Sequence, residues 1–454
     1  MKGLLLLARV IKAPRSLAGL LILLGMVLVA ANVLGFNVSN SVAGTSYWLA
    51  AALLWNGLSQ RNRRQASVLI GLGVSCLVAS LWLGAELAVE RLFSANVTII
   101  SMLVAVSFLS LVTRPAQQQQ MPLPKGRRAL SSTLVAIHAF GAVINLSAVF
   151  IIGDRLAQHA KLTREQSLVL VRGFSAAAFW SPFFAAMGVA LSVAPRAELA
   201  LLWGVSMPLA AIALGLTYWQ LQRQAVPVRS TDDYPSAPVS EFIGYPLHIS
   251  ALLVPSLLAI AVLVFHKLLP QWSILAVITL LAPLFSVTGL VIKRESVRRN
   301  IVQLVSGRLA QMGNELILFL AAGVLAYGLE SVLLSAHWQL PVAHFGILAA
   351  AVTYLAIIFL ALLGVHPIVC IMLAASVWAP LNPDHSLMAL VFLSSWALGT
   401  ASGPLSGINV AFQGRYGVDS FAMMRWNLGY LALMSLGVLL AIGVLGWRLG
   451  INVL

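Results

Sequence analysis

Apolar runs of about twenty residues recur along this chain at spacings of roughly 25 to 35, and that recurrence restricts the fold more than any other feature. Each run is long enough to cross a bilayer, and together they leave too little polar surface for a water-soluble particle. Hydrophobic residues make up 60% of the 454 positions and charged residues only 9%. The expected class is an all-α polytopic membrane protein with about 11 transmembrane helices plus two re-entrant hairpins. Spans are expected at 17–35, 43–59, 66–88, 95–113, 167–193, 197–221, 247–269, 272–292, 312–335, 386–413 and 427–449. Lys2, Arg9, Lys12 and Arg15 precede a first run too long for a cleaved signal peptide, so 1–35 is expected to stay as a transmembrane helix.

Two apolar stretches do not fit single crossings. Residues 129–160 carry Gly141 and Asn145 in mid-run, and 344–381 contain Gly364, His366 and Pro367 near the centre. A hairpin that enters and leaves by one side explains both. Basic residues support this, because with both stretches re-entrant 23 of the 28 Lys and Arg fall on one side. Only Arg91, Arg196, Lys267 and Arg448 fall on the other, and Arg172 lies inside a span. The positive-inside rule makes the crowded side cytoplasmic, with the N-terminus inside and the C-terminus outside a bacterial-type inner membrane. The net charge of +15 is therefore topological, and nucleic acid is not an expected partner.

An internal repeat organises the chain. LTREQSLVLV and GFSAAAFWSPFFAAMGVAL surround Pro182, while LNPDHSLMALV and ALGTASGPLSGINVAF surround Pro404. Upstream, FGAVIN at 140–145 pairs with LGVHPI at 363–368. Asn145 precedes Pro182 by 37 residues and His366 precedes Pro404 by 38. The domains expected are a leading helix, a first repeat at 43–222, a polar cytoplasmic linker at 223–246 and a second repeat at 247–454. An odd number of crossings per repeat inverts one against the other, the pattern of secondary transporters with broken helices at the midplane. Residues 293–311 look like an interfacial amphipathic helix on the cytoplasmic side.

This arrangement resembles the ion transporter superfamily, which includes divalent-anion/sodium symporters, arsenite and citrate permeases, and membrane subunits of binding-protein-dependent dicarboxylate transporters. The resemblance implies carboxylate transport, cation coupling and a homodimer. The symporters carry Ser-Asn-Thr at each hairpin tip; this chain has Ile-Asn-Leu-Ser at 144–147 and Val-His-Pro-Ile at 365–368. The substrate and the coupling ion stay open.

Broken helices aim free N–H groups and carbonyls into a pocket, so the candidate binding residues cluster at the breaks. They are Asn145, Ser147, Ser181 and Pro182 in the first repeat, with Gly141 and Ser175 beside them. In the second repeat they are His366, Thr400, Ser402, Gly403, Pro404 and Asn409, with Gly364, Pro367 and Ser406. Asn145 and Ser147 are expected to face Ser402, Gly403 and Asn409 across one cavity. Among intramembrane ionisable residues, Arg172 is expected to snorkel to the cytoplasmic surface, and Glu86 and Glu315 lie near span ends. His138 reads equally well as a satisfied polar group, and His366 as an anion contact or a cap. Cys76 and Cys370 are too few and too separate for a metal site or disulfide framework.

No nucleophile–base pair, phosphate loop or metal cluster is visible, so no enzyme is expected. The reading is a secondary active transporter for an anionic or polar, carboxylate-like solute, working by alternating access. It needs no cofactor beyond a coupling Na+ or H+, and its partners are the solute and membrane lipids. Alternatives are a membrane subunit of a multi-component transporter, and a lipid translocase or membrane assembly factor. A sodium/proton antiporter is disfavoured because neither tip carries Asp or Glu.

Overall fold

A computed structural model describes residues 14–112, 122–158, 160–224, 241–247, 250–338 and 342–453. Most of the linker at 223–246, the basic residues before Pro14 and the terminal Leu454 lie outside the described residues. The described residues are helical, with no strand beyond one isolated bridge between Lys125 and Ile243. Among them, eight helices are long and apolar enough to cross a membrane. The chain is an all-α polytopic membrane protein.

Two compact units form. The first draws on Met1–Arg114, Ser256–His344 and Ile371–Asn382; the second on Pro115–Pro255, Phe345–Cys370 and Pro383–Leu454. Neither coincides with one half of the sequence.

The first unit contains α1 (Pro14–Val33), α2 (Asn40–Leu54), α3 (Gln60–Trp82), the short α4 (Val89–Ser94) and α5 (Val97–Ser107). From later in the chain come α11 (Ser250–Leu268, in this unit from Ser256), α12 (Ile274–Ile292), α13 (Val297–Gln303) and α14 (Gly313–Ser335). Serine hydroxyls start α3, α12 and α13: Ser59 accepts from Asn62 N, Ser273 from Ala276 N and Ser296 from Arg299 N. Helix α3 lies backbone-close on α14, where a Cβ on Gly328 would stand 2.3 Å from the Gly73 carbonyl. Helix α5 packs on α12. Thus the second span of each half pairs with the third span of the other, in both directions. Arg91 closes the α3–α14 end by bonding both carboxylate oxygens of Glu330 at 3.0 Å. The expected amphipathic segment is α13 followed by a π turn over Leu304–Leu309, and α1 packs on that turn.

The second unit holds the hairpins and broken helices. Here α6 (Gly126–Ile144) and α7 (Leu146–Leu156) meet at Asn145. Helices α8 (Arg164–Ala176) and α9 (Ala185–Val193) are separated by a 3-10 turn and an irregular stretch, and α10 (Leu199–Gln224) follows. Later in the chain come α15 (Ile347–Leu362), α16 (Pro367–Trp378, in this unit to Cys370), α17 (His385–Ser402), α18 (Gly407–Tyr416) and α19 (Ser420–Arg448). Residues 241–247 strap the base of the first hairpin. Gln166 donates to Ile243 O at 2.8 Å, and Tyr245 N donates to Thr133 Oγ1 at 2.6 Å. Burial pushes the Tyr245 phenol up to about 12, with the charge of Arg155 acting against it.

These contacts give directions. Gly126 N at the start of α6 donates to Phe242 O at 2.8 Å, three residues before Tyr245, and the charge of Arg155 at the end of α7 acts on Tyr245, so α7 returns toward the end where α6 began. Helix α8 also starts at that end, at Thr163 and Gln166, which form a reciprocal capping box. The chain after α9 reaches the start of α17, where Glu198 N donates to Ser386 Oγ at 3.0 Å. The far end of α18 comes back to α7, where Arg415 bonds both Asp154 oxygens at 2.6 and 2.7 Å. The two broken helices therefore run antiparallel with their breaks at mid-length.

Candidate functional site

Pro182 and Pro404 sit in the two breaks, but proline alone does not make one. Pro208 and Pro283 lie inside continuous helices α10 and α12. At the second break the residue before proline takes extended backbone and a nearby hydroxyl starts the next helix, whereas at the first α9 begins after Phe184 with no side-chain cap. Gly403 has φ −68° and ψ 122°, and Ser406 caps α18 by accepting from Asn409 N at 3.4 Å. Ser181 accepts from Phe183 N at 3.2 Å at the first break.

Each hairpin tip docks on the helix break that follows it in the chain. At the first junction Asn145 adopts φ 51° and ψ −141°, a strained conformation for a residue with a side chain. Its amide donates to Phe183 O at 3.0 Å. The Ser181 hydroxyl donates to Ala142 O in the last turn of α6. His138 joins the same helices: the Trp180 indole N–H donates to its Nε2 at 3.1 Å, which makes Nδ1–H the donor to Gly173 O at 3.1 Å. It is a satisfied polar group. Ser147 is half-buried in the first turn of α7, and Gly141 packs on Phe174.

At the second junction glycine allows the approach. Gly364 has φ +95°, which favours glycine, and a Cβ there would stand 2.4 Å from Leu405 Cδ1. A Cβ on Gly403 would meet the Gly399 carbonyl at 2.7 Å and the Ala361 carbonyl at 2.9 Å. His366 accepts from Ile368 N at 3.2 Å through Nδ1, capping α16 with Pro367 in its first turn, and lies edge-on to Trp396 at 5.8 Å. The Asn409 side chain is fully buried and donates to Gly403 O at 2.9 Å and Ala401 O at 3.3 Å. Its Oδ1 accepts no hydrogen bond, and the buried Ser402 hydroxyl has no partner. Thr400 is buried one turn before the break.

Asn145 therefore meets Phe183 at the break that follows it, and no hydrogen bond joins Asn145 or Ser147 to Ser402, Gly403 or Asn409 among the described residues. The two breaks are linked instead through packing of Ala177–Phe179 on α17. More unpaired hydroxyls line the same helices: Ser175 on α8, and Ser394 and Ser395 on α17. Helical hydroxyls elsewhere bond back to their own helix, as Ser80, Thr279 and Ser286 do at 2.7–2.8 Å. A buried polar atom without a partner costs about 1–3 kcal/mol, and several are concentrated here.

Arg172 corrects the sequence expectation. It does not snorkel: it is 3% exposed, and its guanidinium donates to Asn427 Oδ1 at 2.7 Å, Gln220 Oε1 at 2.7 Å and Trp426 O at 3.1 Å. Tyr430 lies 4.4 Å beneath it. A charge one turn or more inside an apolar run was the visible signal; its partners, more than 45 residues away in the chain, were not. Glu86 and Glu315 are exposed.

Comparison with protein-family profiles and with curated proteins finds no match. Among solved structures, the Alcanivorax borkumensis YdaH transporter, described as having an unusual topology, aligns over 85% of this chain and 84% of that one. The identity is 14% and the TM-score 0.37, a likeness too slight to carry an argument.

Proposed function

We propose that this chain is a secondary active transporter of an anionic or polar, carboxylate-like solute, cation-coupled and working by alternating access across an inner membrane. The observation that carries it is the second junction, where Ser402 Oγ and Asn409 Oδ1 are buried and unpartnered beside an interrupted helix. Backbone interrupted within apolar spans is tolerated where protein or a water-filled cavity receives it. Two antiparallel broken helices, each met at its break by a hairpin tip, support an inverted repeat with the solute site at those breaks. The solute would offset the desolvation cost of these groups, the Ser402 hydroxyl by donating to a carboxylate oxygen and Asn409 Oδ1 by accepting from water or a solute hydroxyl or by ligating a coupling cation. Asn409 and Ser402 are the contact residues, and Gly403 and Pro404 hold the helix ends open.

The test is thermal unfolding of the purified chain against a panel of mono- and dicarboxylates, in sodium and in choline buffers. A carboxylate-specific stabilisation, larger in sodium and lost in Asn409→Leu, is the expected result. An Asn409→Leu protein that responds like the wild type would overturn the assignment of the site. Absence of any response across the panel would overturn the solute class.

A further inference from the structure

A separate cavity of about 340 Å³ lies in the second unit between α8, α10 and α19, lined by Arg164, Arg172, Gln220, Trp219 and Trp426. It has the size of a small-ligand site. Arg172 is the buried cation on its wall. Three of its five N–H groups are spent on Asn427, Gln220 and Trp426, all neutral partners. Among the described residues, no carboxylate pairs with Arg172 or Arg164. A buried guanidinium held by neutral groups, with the Tyr430 ring 4.4 Å beneath it and no carboxylate paired to it among the described residues, is a costly arrangement unless something anionic completes it. Arg164, at the exposed start of α8, lies 5.3 Å over the Trp426 ring, so the second cation stands at the mouth of the same cavity.

We propose that this cavity is an anion site that takes a phosphate-type oxyanion between Arg172 and Arg164, with Trp219 and Trp426 as its walls. Arginine supplies paired, directional donors that match phosphate oxygens. The neutral partners hold Arg172 in position before the anion arrives, which leaves its remaining N–H groups for the ligand. The aromatic walls suit the glycerol and upper acyl part of a phospholipid, and the charges suit its headgroup or a free phosphate.

The full-length protein, delipidated in a neutral detergent, separates the two sources. Native mass spectrometry would compare phosphatidylglycerol with phosphatidylcholine, and thermal unfolding would compare inorganic phosphate with chloride at equal ionic strength. At least one anionic probe should bind above its control, with Arg164→Gln weakening it about tenfold and Arg172→Gln more. Binding of phosphatidylglycerol alone assigns the site to lipid; binding of phosphate identifies a soluble anion. Because Arg164 is exposed, its variant reads the site even if Arg172→Gln fails to fold. The proposal is overturned if neither probe binds above its control, or if Arg164→Gln binds as the wild type does. The carboxylate response of the Asn409 site is a different measurement, so either reading can fail alone.

Discussion

At the first junction the Asn145 amide and the Ser181 hydroxyl are both spent on main-chain carbonyls across the contact, of Phe183 and Ala142. At the second, close packing makes the contact: the Leu405 side chain fills the space a Cβ on Gly364 would need, and the Ala361 carbonyl lies against Gly403. Polar atoms freed from sealing the contact, Ser402 Oγ and Asn409 Oδ1, remain unpartnered. Similar parts are thus put to different uses. Hydrogen bonds make the first junction a fastener, and glycine packing makes the second a close fit with donors and acceptors in reserve. The comparison teaches that a polar residue at a helix break signals a binding role only when its hydrogen-bonding capacity is not consumed locally.

The strongest test of this contrast is Asn409→Leu. It should abolish the ligand response, on the order of a hundredfold or more in affinity, because it removes the buried reserve oxygen and its amide together. The protein should still insert and run as a single species on size exclusion. A smaller but large effect is expected from Gly403→Ala, whose methyl meets two carbonyls closer than 3.0 Å. Overpacking of that kind costs typically about 1–3 kcal/mol, read as a lowered unfolding midpoint. Preserved stability there would show that the second tip moves aside freely.

Asn145→Ala should destabilise by about 1–3 kcal/mol by orphaning the Phe183 carbonyl, with ligand affinity unchanged within about threefold. Asn145→Gly should recover roughly 1 kcal/mol of that loss, since glycine adopts φ 51° without strain. Equal midpoints for the two variants would remove strain from the account of the first tip. The smallest and most discriminating pair is Ser402→Ala with Ser181→Ala. Deleting the unpartnered Ser402 hydroxyl should leave the unfolding midpoint level or slightly raised while weakening ligand binding about tenfold. Deleting the Ser181 hydroxyl should destabilise the fold by about 1 kcal/mol, read as a lowered midpoint, and leave binding alone. If both serines behave alike, the fastener and the reserve are not distinct.

Much of the architecture was legible before any coordinates. Length and hydropathy located the helices, because crossing a bilayer demands a run of fixed size and composition. Of the eleven expected spans, 43–59 holds a helix of only 15 residues, Asn40–Leu54, extended by a 3-10 turn. The interruptions near Asn145, Gly364, Pro182 and Pro404 were marked by glycine and proline in mid-run. The roles within the breaks were less legible. Asn145 and Asn409 look alike in sequence, each an amide near a broken segment, yet one is consumed by a carbonyl and the other keeps an oxygen spare. Pro208 and Pro283 look as disruptive as Pro182 and leave their helices continuous.

By itself the sequence determined which stretches are helical and how far they run, since caps, φ restrictions and apolar length are local or one-dimensional properties. Only the tertiary structure decided which polar atoms find partners. That outcome depends on the positions of carbonyls and amides tens or hundreds of residues away. Arg172 shows the division most sharply: its place in an apolar run was plain from the chain. Its burial among Gln220, Trp426 and Asn427, on the wall of a cavity it shares with Arg164, depends on three helices that only folding brings together.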